Sequence, residues 1–478
     1  MKTTNANVQG GRNPGRFYIL ILAALLVVSC RDSDDPNPKV NNKENQYVNS
    51  WIQDNMEFYY LWNKSLPKNS DRNQEPDAYF KSLLHKDDRF SWIQDNYQDL
   101  LNSLNGINKE AGYEFVLYRE NQVSNKVIAQ ILYTKPDSPA EAAGLKRGDL
   151  ITKVNGQNIT TSNYRDVLNE LKENHTLVVT PLLIGEDKFG PETTVSLSAI
   201  VYSENPNYYH TIYEVGGRKI GYYVYNFFAT GNANTFDNEM NNVFQEFKSS
   251  GITDLILDLR FNSGGIETSA RNLASLIGSG ITSSSIFMTK QYNDDVTELI
   301  LNDPDLGEDF LTSRFAEKEA NVGPMLTGNR VYILTSSRTA SASELIINSL
   351  RPYMEVFLIG DVTYGKNVGS NSIYEPDNPK NKWGMQPIIV KIANSLGTAD
   401  YADGFTPDIL NLDNSLYLYP IGDERENLLS EAIAQITGAS GGRIGIKDSG
   451  REIIRHSLDG NARSFQLIMD ESQLPVPH

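Results

Sequence analysis

Three short segments concentrate the side chains that could do chemistry. In Thr339-Ala340-Ser341-Ala342-Ser343-Glu344 a serine stands where a strand hands over to a helix. The start of a helix leaves backbone N–H groups unpaired and carries the positive end of the dipole, which suits a nucleophile whose attack creates an oxyanion. It equally suits a plain N-cap, and Ser341 followed by Glu344 has the capping-box spacing, so this segment alone reads better as a cap. At Thr363-Tyr364-Gly365-Lys366 a lysine follows a strand and a glycine turn. An amine accepts a serine proton only when neutral, so its pKa must fall from about 10.4 towards about 7, which burial in an apolar pocket achieves. In Arg260-Phe261-Asn262-Ser263-Gly264-Gly265, directly after a buried strand, paired glycines let backbone N–H groups approach a reacting carbonyl, as an oxyanion hole requires.

The elements that must hold these segments follow from periodicity. From about residue 205 to 435, strands and helices alternate. Lys219–Tyr225, Leu255–Leu259, Arg330–Leu334 and Glu355–Ile359 read as strands, and Phe236, Met240, Val243, Phe244 and Phe247 line one helix face. That alternation predicts an α/β core with parallel pairing over 201–436. Residues 105–200 carry strand-like runs at Glu114–Tyr118 and Lys126–Leu132. They continue into a capped helix at Ser138-Pro139, a turn at Gly148-Asp149, a strand Leu150–Val154 and an Asn155-Gly156 hairpin turn. In residues 47–104, Val48, Trp51, Ile52, Met56, Tyr59 and Tyr60 recur at three- and four-residue spacing, which predicts a small helical domain with an aromatic core. The stretch 437–478 gives no clear reading.

At the N-terminus, Lys2, Arg12 and Arg16 precede an apolar run from Phe17 to Val28 that is too short for a confident transmembrane helix and has the layout of a secretory signal over 1–29. Val27-Val28-Ser29-Cys30 resembles a bacterial lipobox, with Cys30, the single cysteine of the chain, as the lipidated residue. A plain cleaved signal with an incidental cysteine is the alternative. Residues 30–46 then read as an acidic flexible tether. Its Asp32-Ser33-Asp34-Asp35 cluster is similar to the surface-export signal of Bacteroidetes lipoproteins, and a solvated linker explains it as readily. The expected location is the cell envelope, lipid-anchored on the periplasmic side or the cell surface. The chain has 478 residues and a net charge of −17, which disfavours sequence-independent binding to nucleic acid or to an anionic membrane. One cysteine allows no internal disulfide and no cysteine-rich metal site.

Residues 105–200 resemble a PDZ domain of the bacterial, protease-associated kind. The resemblance implies that a peptide tail adds as a strand beside a carboxylate-binding loop, here Gly112-Tyr113-Glu114-Phe115. Glu114 stands where that family has a small residue. The three chemical segments, in their order and spacing, together with Asp403-Gly404-Phe405-Thr406-Pro407-Asp408, resemble the tail-specific (C-terminal processing) serine peptidases. That resemblance covers roughly residues 105–435 and implies a multi-domain protein: a helical N-terminal domain, a PDZ-like β-rich domain and an α/β peptidase core of the ClpP/crotonase-like kind. Carried over by position, it makes Ser341 the nucleophile and Lys366 the general base. It makes Ala342 with Gly264 or Gly265 the oxyanion hole, and leaves Ser337 and Ser343 with structural roles. Ser370 occupies the place of a glutamine that orients the lysine in many relatives, and a hydroxyl there would have to take over that role. Ser263 replaces a usual proline. The implied activity is hydrolysis of protein substrates selected partly by an apolar free C-terminus, through an acyl-enzyme, with no metal or cofactor.

Rival readings are weaker. Gly438-Ala439-Ser440-Gly441-Gly442 spells a nucleophile elbow but follows a helix, where a strand is required. The histidines at 85, 175, 210, 456 and 478 fall in none of the three segments and show no metal-ligand spacing. Asp258 reads as a structural hydrogen-bonding group. The functional alternative is a non-catalytic lipoprotein that binds peptide tails or an apolar ligand on the same fold.

Overall fold

The computed structural model describes residues 42–186, 188–438, 451–460 and 464–469. The segments read as signal, lipobox with Cys30 and most of the tether, and residues 439–442 of the Ser440 pentapeptide, lie outside the described residues. Where the tether reading ran to residue 46, helix α1 (Asn42–Tyr59) begins at Asn42, with Glu44 in its first turn, where an acidic side chain favours the dipole. Helix α2 (Pro76–Leu83) packs on it, and Val48, Trp51, Ile52, Met56, Tyr60, Tyr79, Phe80 and Leu83 form one apolar cluster. A short strand β1 (Trp92–Gln94) and helix α3 (Tyr97–Leu104) complete this region.

The PDZ-like unit is a twisted antiparallel sheet. Strands β2 (Tyr113–Arg119), β3 (Val127–Thr134), β4 (Leu150–Val154), β5 (His175–Thr180) and β6 (Thr193–Leu197) lie in the order β6-β5-β4-β3-β2, and helix α4 (Tyr164–Glu170) packs on one face. The Asn155-Gly156 turn forms as read: both residues have positive φ, 48° and 78°, as a type I′ hairpin requires.

The core sheet starts with the hairpin β7 (Asn207–Val215) and β8 (Arg218–Tyr225). Helix α5 (Thr235–Ser250) leads to β9 (Asp254–Asp258). Then come β10 (Gly265–Ile266), α6 (Glu267–Ile277), β11 (Ile286–Tyr292) and β12 (Thr312–Arg314). Strand β13 (Arg330–Thr335), helix α7 (Ala342–Leu350) and strand β14 (Glu355–Gly360) follow. The chain continues through β15 (Val368–Ser370), β16 (Gly384–Gln386), β17 (Ile388–Ala393), β18 (Ile409–Leu410) and α8 (Asn427–Thr437). Strands β19 (Ile453–His456) and β20 (Leu467–Ile468) lie in the C-terminal stretch that gave no reading from sequence.

The order β7-β8-β9-β13-β14-β18 is parallel from β8 onward. Both faces of this sheet are covered, which explains why β9 is buried at every position, with the apolar run Leu255-Ile256-Leu257 at its centre. Leu255 and Leu257 point into the cluster made with Met240 and Phe244 of α5, Leu273 of α6 and Leu345 of α7. Ile256, Tyr222 and Val224 point the other way, against Leu428, Leu429 and Ala432 of α8. A second sheet, β10-β20-β15-β17-β11-β12, lies beside it, and β1 of the N-terminal region pairs with β16.

A buried ion network ties the PDZ-like unit to the core. Arg260, 1% exposed, donates to Asp258 at 3.0 Å and to Glu426 at 2.5 and 2.9 Å. Arg147, from the turn before β4, donates to Asp413 at 2.8 Å and to the carbonyls of Leu132 and Tyr419. Asp413 also accepts from Arg260 at 3.2 Å, so the two guanidinium groups share it. Removing one partner from such a buried set strands the opposite charge. Glu426→Ala is therefore expected to lower stability by about 3–5 kcal/mol, read as a fall in the urea unfolding midpoint, with Glu426→Gln closer to wild type.

Candidate active site

Ser341 sits at the turn from β13 into α7 with φ 60° and ψ −111°, a strained conformation for a residue with a side chain. Sharp strand-to-helix turns of this kind present a nucleophilic oxygen. The residue is fully buried, and its Oγ has no hydrogen-bond partner among the described residues. The turn is fastened to the loop after β9. Thr339 Oγ1 donates to the carbonyl of Leu259 at 2.9 Å, and Ser343 Oγ donates to that of Asn262 at 3.0 Å. Ser343 thus has the structural role expected of it.

Glu344 completes half of the capping box, because its Oε2 accepts from the Ser341 N–H at 2.8 Å. The same carboxylate reaches the lysine loop. Oε2 also accepts from the Lys366 N–H at 2.8 Å, while Oε1 accepts from Gly365 N–H at 2.7 Å and from Thr363 Oγ1 at 2.6 Å. One buried carboxylate therefore holds the backbone of Ser341 and the backbone of Lys366 on a single oxygen. Burial pushes the Glu344 carboxyl upward, and these hydrogen bonds oppose it.

Lys366 is fully buried. Burial drives its pKa down to about 7, against the upward pull of Asp88 and Glu344. The Nζ lies 5.0 Å from the centre of the Phe90 ring. It donates to the carbonyl of Phe465 at 2.6 Å and to Gln466 Oε1 at 3.4 Å. Arg89 donates to the Gly365 carbonyl at 2.8 Å, so the N-terminal region braces the lysine loop from outside.

Gly264 and Gly265 have φ of 110° and 137°, and neither tolerates a Cβ. At Gly264 it would meet the Gln466 carbonyl oxygen at 2.3 Å and Ser341 Cβ at 2.8 Å; at Gly265 it would meet the Phe228 carbonyl at 2.1 Å. The two amides are not equivalent. The Gly264 N–H donates to Asn262 Oδ1 at 2.9 Å, which removes it from the oxyanion hole expected of it. The Gly265 N–H donates to the Gln466 carbonyl of the C-terminal segment at 2.5 Å. Ala342 is at the first position of α7, where helix geometry leaves amides without an intrahelical partner.

Ser370 is a second correction. Its hydroxyl donates to the Leu467 carbonyl at 3.3 Å and makes no bond to Lys366, because the C-terminal segment lies between them and supplies the amine's acceptors. In the loop read as carboxylate-binding, the Gly112 carbonyl accepts from Ser138 Oγ at 3.1 Å, and the Tyr113 hydroxyl bonds His175 at 3.0 Å. Glu114 is buried and pairs with Lys135 at 2.9 Å, while the Phe115 N–H donates to Ser457 Oγ at 2.9 Å. Sequence reasoning missed Phe90, Arg89, Phe465 and Gln466, all far from Lys366 in the chain. It assigned Glu344 only a cap, although its spacing from Ser341 was visible.

Residues 219–410 match peptidase family S41, residues 47–92 match the peptidase S41 N-terminal domain, and residues 130–181 match a PDZ domain. The chain belongs to peptidase family S41. It is a serine-type peptidase. It is 25% identical over 322 residues to a carboxyl-terminal-processing protease of Picosynechococcus, covering 66% of this chain and 70% of that one. A probable CtpA-like serine protease of Staphylococcus aureus is 26% identical over 376 residues, covering 75% and 68%. The chain thus spans roughly two thirds of the length of these relatives. Its structure is similar to that of a putative S41 protease from Bacteroides fragilis, with a TM-score of 0.67, 25% identity, and coverage of 81% of this chain and 97% of that one.

The bridge through Glu344 generates a prediction. Glu344→Ala strips acceptors from three amides and a hydroxyl, so the turn and the loop lose their common anchor. We expect kcat to fall about 10²-fold with KM little changed, and Glu344→Gln to recover part of the loss. An equal loss from a KM increase alone would place Glu344 outside the positioning of the dyad.

Proposed function

We propose that Ser341 and Lys366 form the catalytic dyad, that the amides of Gly265 and Ala342 form the oxyanion hole, and that the substrates are polypeptides processed near their C-termini. The observation that carries this reading is a fully buried lysine with its pKa lowered to about 7, held through one carboxylate oxygen to the backbone of a strained serine whose hydroxyl has no other partner.

The neutral Nζ of Lys366 takes the proton of Ser341 Oγ as that oxygen attacks the substrate carbonyl. The negative charge collects on the former carbonyl oxygen, where the two amides donate to it. The lysine ammonium then gives its proton to the leaving amine, and the C–N bond breaks to leave an acyl-serine. Water loses a proton to the again neutral lysine and attacks the ester, and collapse returns Ser341 and a product carboxylate. A substrate strand would lie where β20 runs, between β10 and β15. The names of the curated relatives support C-terminal processing. The Glu114–Lys135 ion pair in the PDZ loop argues for an extended segment there ahead of a bare terminal carboxylate. Lipid attachment at Cys30, and with it a place in the cell envelope, belongs to the same proposal and rests on the lipobox-like Val27-Val28-Ser29-Cys30.

Two tests follow. Ser341→Ala and Lys366→Ala should each lower kcat on an unstructured protein by about 10⁴-fold or more, and the double variant should be no worse than either single one. Full activity in either would remove that residue from the dyad. In the wild type the active lysine is the neutral form, so kcat/KM should be low in acid, rise through pH of about 7 and level off above it. Amidating the substrate's C-terminus, followed by mass spectrometry of the products, decides whether the free terminus is read.

A further inference from the structure

The C-terminal stretch is bound in both functional grooves of its own chain. Its strand β19 adds antiparallel to the free edge of β2, with Ile453 opposite Tyr118, Arg455 opposite Leu117 and His456 opposite Val116. This is the β-augmentation by which PDZ domains take a peptide. Ile454 packs against the cluster that includes Phe115, Leu117 and Val167, as a ligand side chain in the groove would. At the end of the strand, Ser457 Oγ accepts from the Phe115 N–H at 2.9 Å and donates to Glu114 at 2.5 Å. A hydroxyl thus takes an amide expected to bind a terminal carboxylate, and the acidic Glu114 becomes its acceptor.

The chain then reaches the catalytic cleft. Asp459 forms an ion pair with Arg338, which comes from the turn leading to Ser341. The Phe465 ring stacks on Tyr364 at 4.0 Å between centroids. Beyond it, β20 lies parallel between β10 and β15, with Gly265 opposite Leu467 and Ser370 opposite Ile468. The Phe465 carbonyl occupies Lys366 Nζ, and the Gln466 carbonyl occupies the Gly265 N–H. In this state the lysine's hydrogen bonds go to the segment. Phe465 has φ 61°, an unfavourable conformation for a bulky residue, so the hold is a strained one.

We propose that residues 451–460 and 464–469 act as a tethered strand-ligand that fills the PDZ groove and the catalytic cleft together, and that an extended polypeptide substrate gains Lys366 and the Gly265 amide only by displacing it. Both grooves are held by one short segment, so release at either end weakens the other. Because the ligand is tethered, its effective concentration is of the order of mM, and a dilute substrate competes against that. The proposal rests on the dyad assignment above for its link to activity, but the occupancy itself can be read without turnover.

The test uses the full chain and unfolded β-casein as substrate. The Asp459→Asn/Phe465→Ala variant loses the ion pair and the stacking that hold the segment. We expect its kcat/KM to rise at least five-fold, and a synthetic peptide of residues 451–469 added in trans to inhibit it more strongly than the wild type. In parallel, hydrogen exchange is followed on the Ser341→Ala protein. The amides of 453–456 and 467–469 should be protected alone and should lose protection together when casein is added. Unchanged or lower activity in the double variant, with exchange indifferent to casein, would overturn the proposal. Wild-type turnover by Ser341→Ala would overturn the dyad while leaving the exchange result to judge the tail.

Discussion

A single buried carboxylate sets the geometry on which the site depends. Glu344 is fully enclosed, and an ion in that setting costs several kcal/mol unless its lone pairs are used. Three backbone amides and one hydroxyl use them, and those donors come from the serine turn and the lysine loop. The desolvation that makes Glu344 expensive is the same force that lowers the Lys366 pKa to about 7. The serine turn and the lysine loop are therefore held to one another through main chain, with little left to side-chain rotamers.

The three regions of the chain converge on this point by different means. The N-terminal region contributes the Phe90 ring beside Lys366 and the Arg89 bonds to the loop carbonyls of Gly365 and Ala402. The PDZ-like unit is keyed to the core through Arg147 and Asp413, next to Arg260 at the head of the loop that carries Gly264 and Gly265. That loop is itself fastened to the serine turn through the Leu259 and Asn262 carbonyls.

Much of this was legible in local sequence. The strand–helix alternation, the Asn155-Gly156 hairpin and the turn at Ser341 each follow from rules that act within a few residues, where the chain carries its own signal. Ser341, Lys366 and the Gly264-Gly265 pair stood out because small residues, a lysine and glycines follow strand ends, and their roles were assigned from the order and spacing shared with the tail-specific peptidases. What could not be read were contacts set by topology. Nothing near Gly264 reveals that Asn262 takes its amide, because that depends on how the loop closes. The role offered for Ser370 failed because a strand from the far end of the chain lies across the site. That strand was illegible for a physical reason: Leu467-Ile468 is too short to show a period, and it is ordered by two neighbouring strands rather than by propensity.

The proposal turns on burial making Lys366 a base for Ser341. Its most direct test is an NMR titration of the lysine side-chain 13Cε resonances in the wild-type protein, with the Lys366 signal assigned by its loss in Lys366→Met. The account predicts a midpoint near 7 for that resonance alone, well below the exposed lysines. A Lys366 signal that stays in the ammonium position until pH of about 10 would contradict it, and Ser341 would need another base.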